Sequence, residues 1–303
     1  MKPITKLSEL VQFVKKTGKI KKIVVACGED PNTIDALHKA ASEGIVKTIL
    51  IGNAENILKV IEKENVPNHL FEIINIYDEK QAVDKAVKMV RCGEADILMK
   101  GLINTDKFLK SVLDKDKGLL IPKAVMSYVC AIELPEYHKL LFISDTAVIP
   151  FPNIEQKKAM INYAVNMAKR FGINRPKVAL ISASEKVSSD VPNTVDYAIL
   201  CKMVDRGQIT DCIIDGPLDV FLACDPKSLE IKGVDTPVKG DADVLIFPTL
   251  EACNAFYKGL MLFAKGELAG LIQGTIKPVV VMSRSESALS KYYCIALSCL
   301  MAD

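Results

Sequence analysis

The chain has 303 residues, half of them apolar and a quarter charged, which suits a large buried core and excludes a disordered chain. Its 39 basic and 37 acidic residues leave a formal net charge of +2, so no general nucleic-acid surface is expected. The first residues hold no apolar signal core, and no uninterrupted apolar run reaches the roughly 18 residues of a membrane span, so a cytoplasmic protein with no membrane partner is expected.

The predicted elements alternate from the start. Residues 22–27 (KIVVAC) form an apolar strand-like run stopped by Gly28, and helical spacing follows over about 31–43. Residues 46–51 (VKTILI) predict a second strand, stopped by Gly52 and Asn53, and a helix over about 54–64 comes next. A weak alternation at 71–76 and a helix over about 79–91 lead to a strand at 96–99. In the second half, strands are expected at 140–144, 177–182, 211–215, 244–248 and 278–283. Helices are expected at about 154–171, 252–265 and 287–301.

The strands are continuous Val/Ile/Leu runs, as in parallel strands covered by helices on both faces. The length exceeds a single core, so two doubly wound α/β domains are expected, one of residues 1–136 plus 286–303 and one of residues 137–285. Ligands in such folds gather outside the carboxyl ends of the strands.

Nine cysteines include no C-x-x-C pair, and Cys27, Cys130 and Cys212 sit in apolar runs, which fits buried thiols better than disulfides or a zinc site. The three histidines (His38, His69, His138) are scattered, so no histidine metal centre is expected. G-x-G-x-x-G, P-loop, G-x-S-x-G and H-E-x-x-H motifs are all missing. Asp205, Asp211, Asp215, Asp219 and Asp225 read as solvated loop charges rather than a divalent-metal site.

Five strand ends are polar in a way that suits phosphate oxygens: Met99-Lys100-Gly101, Ser144-Asp145-Thr146, Ser182-Ala183-Ser184, Pro248-Thr249 and Ser283-Arg284. Small hydroxyls and helix N-termini bind phosphate, and an Arg fork binds it with paired hydrogen bonds. Taken singly, a Ser or Asp after a strand also reads as an ordinary helix cap.

Five segments in order resemble the phosphate acetyl/butyryl transferase family. They are 93–105 (GEADILMKGLINT), 144–148 (SDTAV) with Pro152 and Asn153, and 175–184 (RPKVALISAS). The others are 242–248 (ADVLIFP) with Asn254, Tyr257 and Lys258, and 270–274 (GLIQG) running on to Lys277, Pro278, Ser283 and Arg284. The resemblance implies two α/β domains with an active site in the cleft between them, a fold like the isocitrate/isopropylmalate dehydrogenases. It also implies a homodimer or larger homo-oligomer, and no bound prosthetic group or catalytic metal. Coenzyme A would be substrate and product, with acyl-CoA and phosphate as partners.

Residues 98–108 and 283–292 look closer to the butyryl branch. The acetyl branch reads S-R-G and carries an Asp seven residues after the Ser, proposed as the base for the CoA thiol; here those positions are Ser285 and Ser290. The implied activity is butanoyl-CoA plus phosphate giving butanoyl phosphate plus CoA, with phosphate acetyltransferase as the alternative. A CoA- or acyl-phosphate-binding regulator without turnover is the alternative of another class.

The implied site has Arg284 clamping phosphate and Ser283 donating to phosphate or the developing oxyanion. Thr105, Ser144, Ser182 and Ser184 add polar contacts, and Lys100 adds charge. Asn254 and Lys258 contact acyl phosphate or CoA. Asp145 and Glu286 are the carboxylates nearest the motif and the candidates for the thiol proton. A covalent acyl-Cys253 is the less favoured route, because no histidine stands near it in sequence.

Overall fold

The computed structural model describes residues 2–283 and 286–302. They form two compact units, a terminal unit (Leu7–Met126 with Leu268–Asp303) and a central unit (Met1–Lys6 with Ser127–Glu267).

The terminal unit opens with α1 (Leu7–Thr17), whose buried Leu7, Leu10, Val11 and Val14 recur at helical spacing. Next come β1 (Lys21–Ala26), α2 (Pro31–Ser42), β2 (Val46–Gly52) and α3 (Ala54–Lys63). A 3-10 turn at Asn68–Leu70 precedes β3 (Phe71–Asn75), α4 (Glu79–Arg91), β4 (Ile97–Lys100) and α5 (Thr105–Val112). Each helix after a strand starts on a side-chain cap: Asp30 accepts from Thr33 N, Asn53 from Asn56 N, Asp78 from Gln81 N and Asn104 from Asp106 N. These caps stand where the chain leaves a strand, so short polar turns pass directly into helices.

The central unit holds β5 (Ser127–Glu133), β6 (Leu141–Ser144), α6 (Ile154–Arg170), β7 (Lys177–Ile181) and α7 (Pro192–Asp205). It continues through β8 (Ile213–Leu218), α8 (Val220–Cys224), α9 (Pro226–Lys232), β9 (Val244–Ile246) and α10 (Leu250–Phe263). The strand order is β5-β6-β9-β7-β8. β6, β9, β7 and β8 run parallel, and β5 pairs antiparallel with β6. The carboxyl ends of β6, β9 and β7 therefore share one edge.

The chain returns to the terminal unit through β10 (Glu267–Gln273), β11 (Val279–Val280) and α11 (Ala288–Met301). Its strand order is β3-β2-β1-β4-β11-β10. All neighbours are parallel except β10 and β11. The order reverses at β1 and β4: β2 and β3 are laid down on one side of β1, and β4 on the other. That is a topological switch point, where the loops after two adjacent strands part and leave room for a ligand. α11 packs on α1 and α2 and is buried almost all round.

Fold class and most elements agree with the sequence reading. The structure adds α1, α5, α7, α8, α9, β5 and β10 to the elements expected from the sequence. The strand expected at 211–215 lies at Ile213–Leu218, and that at 278–283 shrinks to Val279–Val280. The unit bounds differ from the expected 1–136 plus 286–303 and 137–285. β5 belongs with the central unit because it pairs with β6, and β11 belongs with the terminal unit because it pairs with β4. Among the described residues, no helix is long and apolar enough to cross a membrane.

Candidate active site

In the central unit the polar strand end at Ser144-Asp145-Thr146 is built inward. Ser144, Asp145 and Thr146 are all buried, Asp145 to 2% exposure. One Asp145 oxygen accepts from Ser127 Oγ at 2.8 Å and Tyr128 N at 3.1 Å, and the other from Ala147 N at 2.8 Å and Val148 N at 2.9 Å. Ser127 Oγ also lies 3.3 Å from Ser144 Oγ. Burial pushes the Asp145 carboxyl up, against the four hydrogen bonds that pull it down. A carboxylate has about four lone-pair directions, and here four protein donors fill them. The geometry therefore gives Asp145 the work of holding the loop after β6 to β5, rather than an open face for a substrate proton.

Asn254, half-buried near the start of α10, donates from Nδ2 to Thr146 O at 2.8 Å. It thus braces the same loop from the helix after β9. Ser182 follows β7, its N–H donating to Leu218 O at 2.8 Å and its Oγ accepting from Asn193 Nδ2 at 3.4 Å. Ser184 Oγ accepts from Lys186 N at 3.2 Å, so it shapes its own turn. Ser144 and Ser182 share the carboxyl edge with one strand, β9, between them. Lys258 is exposed further along α10.

A buried lysine escaped the sequence reading. Lys157, in the first turns of α6, is buried and bonds Asp196 of α7 at 2.6 Å, with the Tyr197 ring 5.5 Å from its ammonium. Tyr197 in turn donates from its hydroxyl to Ile181 O at 3.0 Å. The helices after β6 and β7 are thereby locked together beside their loops.

In the terminal unit, Lys100 ends β4 and is 5% exposed, not a surface lysine. Its Nζ donates to Gly101 O at 3.2 Å and Ile103 O at 3.0 Å. Gly101 lies against β1: its N–H donates to Ala26 O at 2.9 Å, and an added Cβ would stand 2.1 Å from Cys27 O. Thr105 is exposed at the start of α5. Ser283 is exposed after β11, and Glu286 turns back so that its Oε2 accepts from Ser283 N at 2.9 Å. Since β4 and β11 are parallel neighbours, Lys100 and Ser283 lie at one sheet edge. Arg284 and Ser285 lie outside the described residues. Ser290 is buried, and its Oγ accepts from Leu268 N at 3.2 Å.

That edge is tied down by Asp30 and Lys291, both buried, with Nζ 2.5 Å from the carboxylate. Burial pushes the Asp30 carboxyl up, but hydrogen bonds from Lys291 and Thr33 and the Lys291 charge outweigh it and hold it below its usual value. The pair joins the loop after β1 to the first turn of α11.

Among the described residues no group of three or more His, Cys, Asp or Glu side chains could hold a metal ion. The scattered acids have local partners: Asp219 caps α8, Asp225 caps α9, and Asp211 pairs with Lys169 at 2.7 Å. Cys253 is fully buried, and burial raises its thiol well above the ordinary range, which leaves it a poor nucleophile.

The fold is the α/β fold of a solved phosphotransacylase. A branched-chain phosphotransacylase from Enterococcus faecalis superposes with a TM-score of 0.83 at 30% identity, over 92% of this chain and 99% of its own. The 4-hydroxythreonine-4-phosphate dehydrogenase from Klebsiella pneumoniae, at 12% identity and a TM-score of 0.50 over 93% of this chain and all of its own, shares the fold alone.

The family model described as phosphate acetyl/butaryl transferase matches residues 6–87 and 79–299, and the chain belongs to that family. It is 41% identical to the phosphate butyryltransferase of Clostridium beijerinckii over 93% of both chains. It is 40% identical to the phosphate acetyltransferase of Thermotoga maritima over 98% of this chain and 99% of that one.

Proposed function

We propose that this enzyme moves a short acyl group, butyryl foremost, between coenzyme A and inorganic phosphate. The observation that carries the reading is family membership over nearly the whole chain, with phosphate butyryltransferases 41% and 38% identical. Acetyl is the second reading, favoured by the 40% identity to the Thermotoga maritima acetyltransferase.

The reaction is direct attack in a ternary complex. A phosphate oxygen attacks the thioester carbonyl, an O–C bond forms, and the carbonyl oxygen takes negative charge. The oxyanion then collapses, the C–S bond breaks, and the thiolate leaves to take up a proton. Positioning and preorganised donors lower this barrier without a prosthetic group or catalytic metal.

In this proposal Arg284 holds the phosphate and Ser283 donates to it or to the oxyanion. Lys100, Thr105, Ser144, Ser182 and Ser184 supply charge and hydroxyls, and Lys258 meets CoA. Asp145 and Asn254, first expected to touch substrate, become positioning residues, because Asp145 is saturated by four donors and Asn254 is bonded to Thr146. Glu286, hydrogen-bonded to Ser283 N, is then the carboxylate beside the motif and the group proposed to give the departing thiolate its proton and to take that proton from the CoA thiol in the reverse direction. The protein is proposed to act in the cytoplasm as a homodimer or larger homo-oligomer.

The test is thiol release from acetyl-, butyryl- and branched acyl-CoA with and without phosphate. Release only with phosphate, fastest with butyryl-CoA, is expected. Equal or faster rates with acetyl-CoA move the assignment to the acetyl branch. Tight CoA binding with no phosphate-dependent release makes the protein a regulator. Arg284→Ala should cut turnover strongly and weaken the phosphate response.

A further inference from the structure

In the central unit, one buried lysine is held at a place unfavourable to a charge. Lys157 is 3% exposed and is the fourth residue of α6, whose N-cap is Asn153. A cation near a helix N-terminus works against the helix dipole, and burying an ammonium costs it hydration. Apolar residues of similar volume often replace a buried ion pair with no loss of stability. The other buried residues of α6, from Met160 to Ala168, are all apolar. A charge kept at such a position points to a task beyond packing.

The ammonium meets α7. Lys157 Nζ bonds Asp196 Oδ2 at 2.6 Å, and the Tyr197 ring centroid lies 5.5 Å from it. That ring is fully buried, and its hydroxyl donates at 3.0 Å to Ile181 O, the carbonyl just before Ser182. One turn earlier on α7, Asn193 Nδ2 donates to Ser182 Oγ at 3.4 Å. Next to it, Thr194 Oγ1 accepts from Ser188 N at 3.0 Å. The first turns of α7 thus hold the loop after β7, and Lys157 ties α7 to α6. α6 in turn follows the loop after β6, which Asp145 and Asn254 brace. Ser144 and Ser182 end strands that are separated by β9, so the two helices supply the direct tie between their loops.

A hydroxyl has one donor and two acceptor sites. Asn193 occupies an acceptor site of Ser182, and among the described residues no protein group accepts from the Ser182 O–H. That proton is left to donate to a ligand oxygen. A preorganised donor works only where it is correctly placed, and a misplacement of about 1 Å costs roughly 100-fold in rate. We propose that Lys157 is a positioning residue for acyl transfer: through Asp196 and Tyr197 it fixes where the Ser182 hydroxyl stands relative to the Ser144 end of the sheet. The role rests on the acyl-transfer reading, in which Ser182 meets substrate. Lys157 acts through α7 and does not itself touch the reacting groups.

The experiment compares wild type with Lys157→Met and Tyr197→Phe, and with the control Lys169→Met, which breaks an exposed pair with Asp211 further along α6. Lys157→Met fills the space of the buried stem, and the Asp196 side chain is 32% exposed, so its carboxylate can turn to water. Tyr197→Phe keeps the ring and removes only the bond to Ile181 O. Hydrogen–deuterium exchange over residues 182–194 reads the loop, and thiol release from butyryl-CoA with phosphate reads turnover. Both variants should speed exchange in that loop and lower kcat ~10-fold or more, with KM for acyl-CoA within ~2-fold of wild type. The control should match wild type in both. In a Ser182→Ala background, Lys157→Met should cost less than ~2-fold further, because the hydroxyl it positions is gone. Should Lys157→Met not fold, K157M/D196N removes both charges together and tests the same tie.

Unchanged loop exchange in the Lys157 variant overturns the proposal, as does a kcat loss that multiplies in full with Ser182→Ala. An equal kcat loss in the Lys169→Met control would also overturn it, since any broken pair on α6 would then suffice. A wild type that releases no thiol with phosphate sinks the acyl-transfer reading, with exchange still deciding whether Lys157 positions the Ser182 loop. Phosphate-dependent release with unchanged exchange does the reverse.

Discussion

Replacing Asp145 by Asn separates positioning from proton transfer. The wild-type carboxylate accepts four hydrogen bonds while almost fully buried. An Asn side chain keeps one acceptor oxygen and turns the other into an amide donor. That amide then faces either Ser127 Oγ and Tyr128 N, or Ala147 N and Val148 N. Facing the first pair is the lesser loss, because the Ser127 hydroxyl can rotate to accept. Two hydrogen bonds to a charged acceptor are still lost or weakened, at about 1.5–3 kcal/mol each, so a loss of about 3 kcal/mol is expected. For an unfolding unit of this size, that corresponds to roughly 6–12 °C in Tm.

The assay is thermal unfolding of both proteins by circular dichroism. Initial rates with butyryl-CoA and phosphate are then measured at a temperature where both are folded. The expected result is a lower Tm with a turnover loss that follows the disordered loop and an unchanged shape of the pH–rate profile. A variant with wild-type Tm, rates down ~100-fold and a lost limb in the pH profile would refute the positioning role and return Asp145 to the chemistry.

Lys291→Met leaves the Asp30 carboxylate buried with only Thr33 to serve it, and should cost about 3 kcal/mol or more by denaturant unfolding. Adding Asp30→Asn, which keeps a good helix cap, should restore part of that loss; strict additivity would show that the two groups do not interact. Since the folded-state carboxyl of Asp30 titrates below its unfolded value, its stabilisation is present above about pH 4 and fades as pH falls through the lowered value. The stability gap between wild type and Lys291→Met should therefore narrow on acidification, and a gap independent of pH would contradict the pairing. Gly101→Ala drives a Cβ to 2.1 Å from the Cys27 carbonyl, where only backbone movement relieves the contact, so a loss of about 3 kcal/mol is expected with lower turnover. Glu286→Gln should shift or remove the limb of the pH–rate profile assigned to the thiol proton; an unaltered profile would exclude Glu286 as its acceptor.

Much of the architecture follows from local pattern. The runs KIVVAC and VKTILI are short and rich in β-branched residues, as buried strands are, and helical spacing resumes over 31–43 and 54–64 once Gly28 and Gly52-Asn53 stop them. Period and capping chemistry are properties of neighbouring residues, so they are legible in a single chain. The polar strand ends were legible for the same reason, because a Ser or Lys that ends an apolar run stands at a sheet edge wherever the strand lies.

Partnership across the fold was not legible. Lys100 reads as an added charge at a strand end, with no sign that it is buried and bonded to the Gly101 and Ile103 carbonyls, and Asp145 reads as a base until β5 delivers Ser127 and Tyr128 to it. Lys157 with Asp196, and Asp30 with Lys291, lie far apart in the chain, and only strand order brings them within bonding distance. Residue type and spacing determined which groups would end the strands. Tertiary packing decided which of those groups are buried, which are already hydrogen-bonded and which remain to meet a ligand, since burial and pairing depend on what the rest of the chain brings alongside.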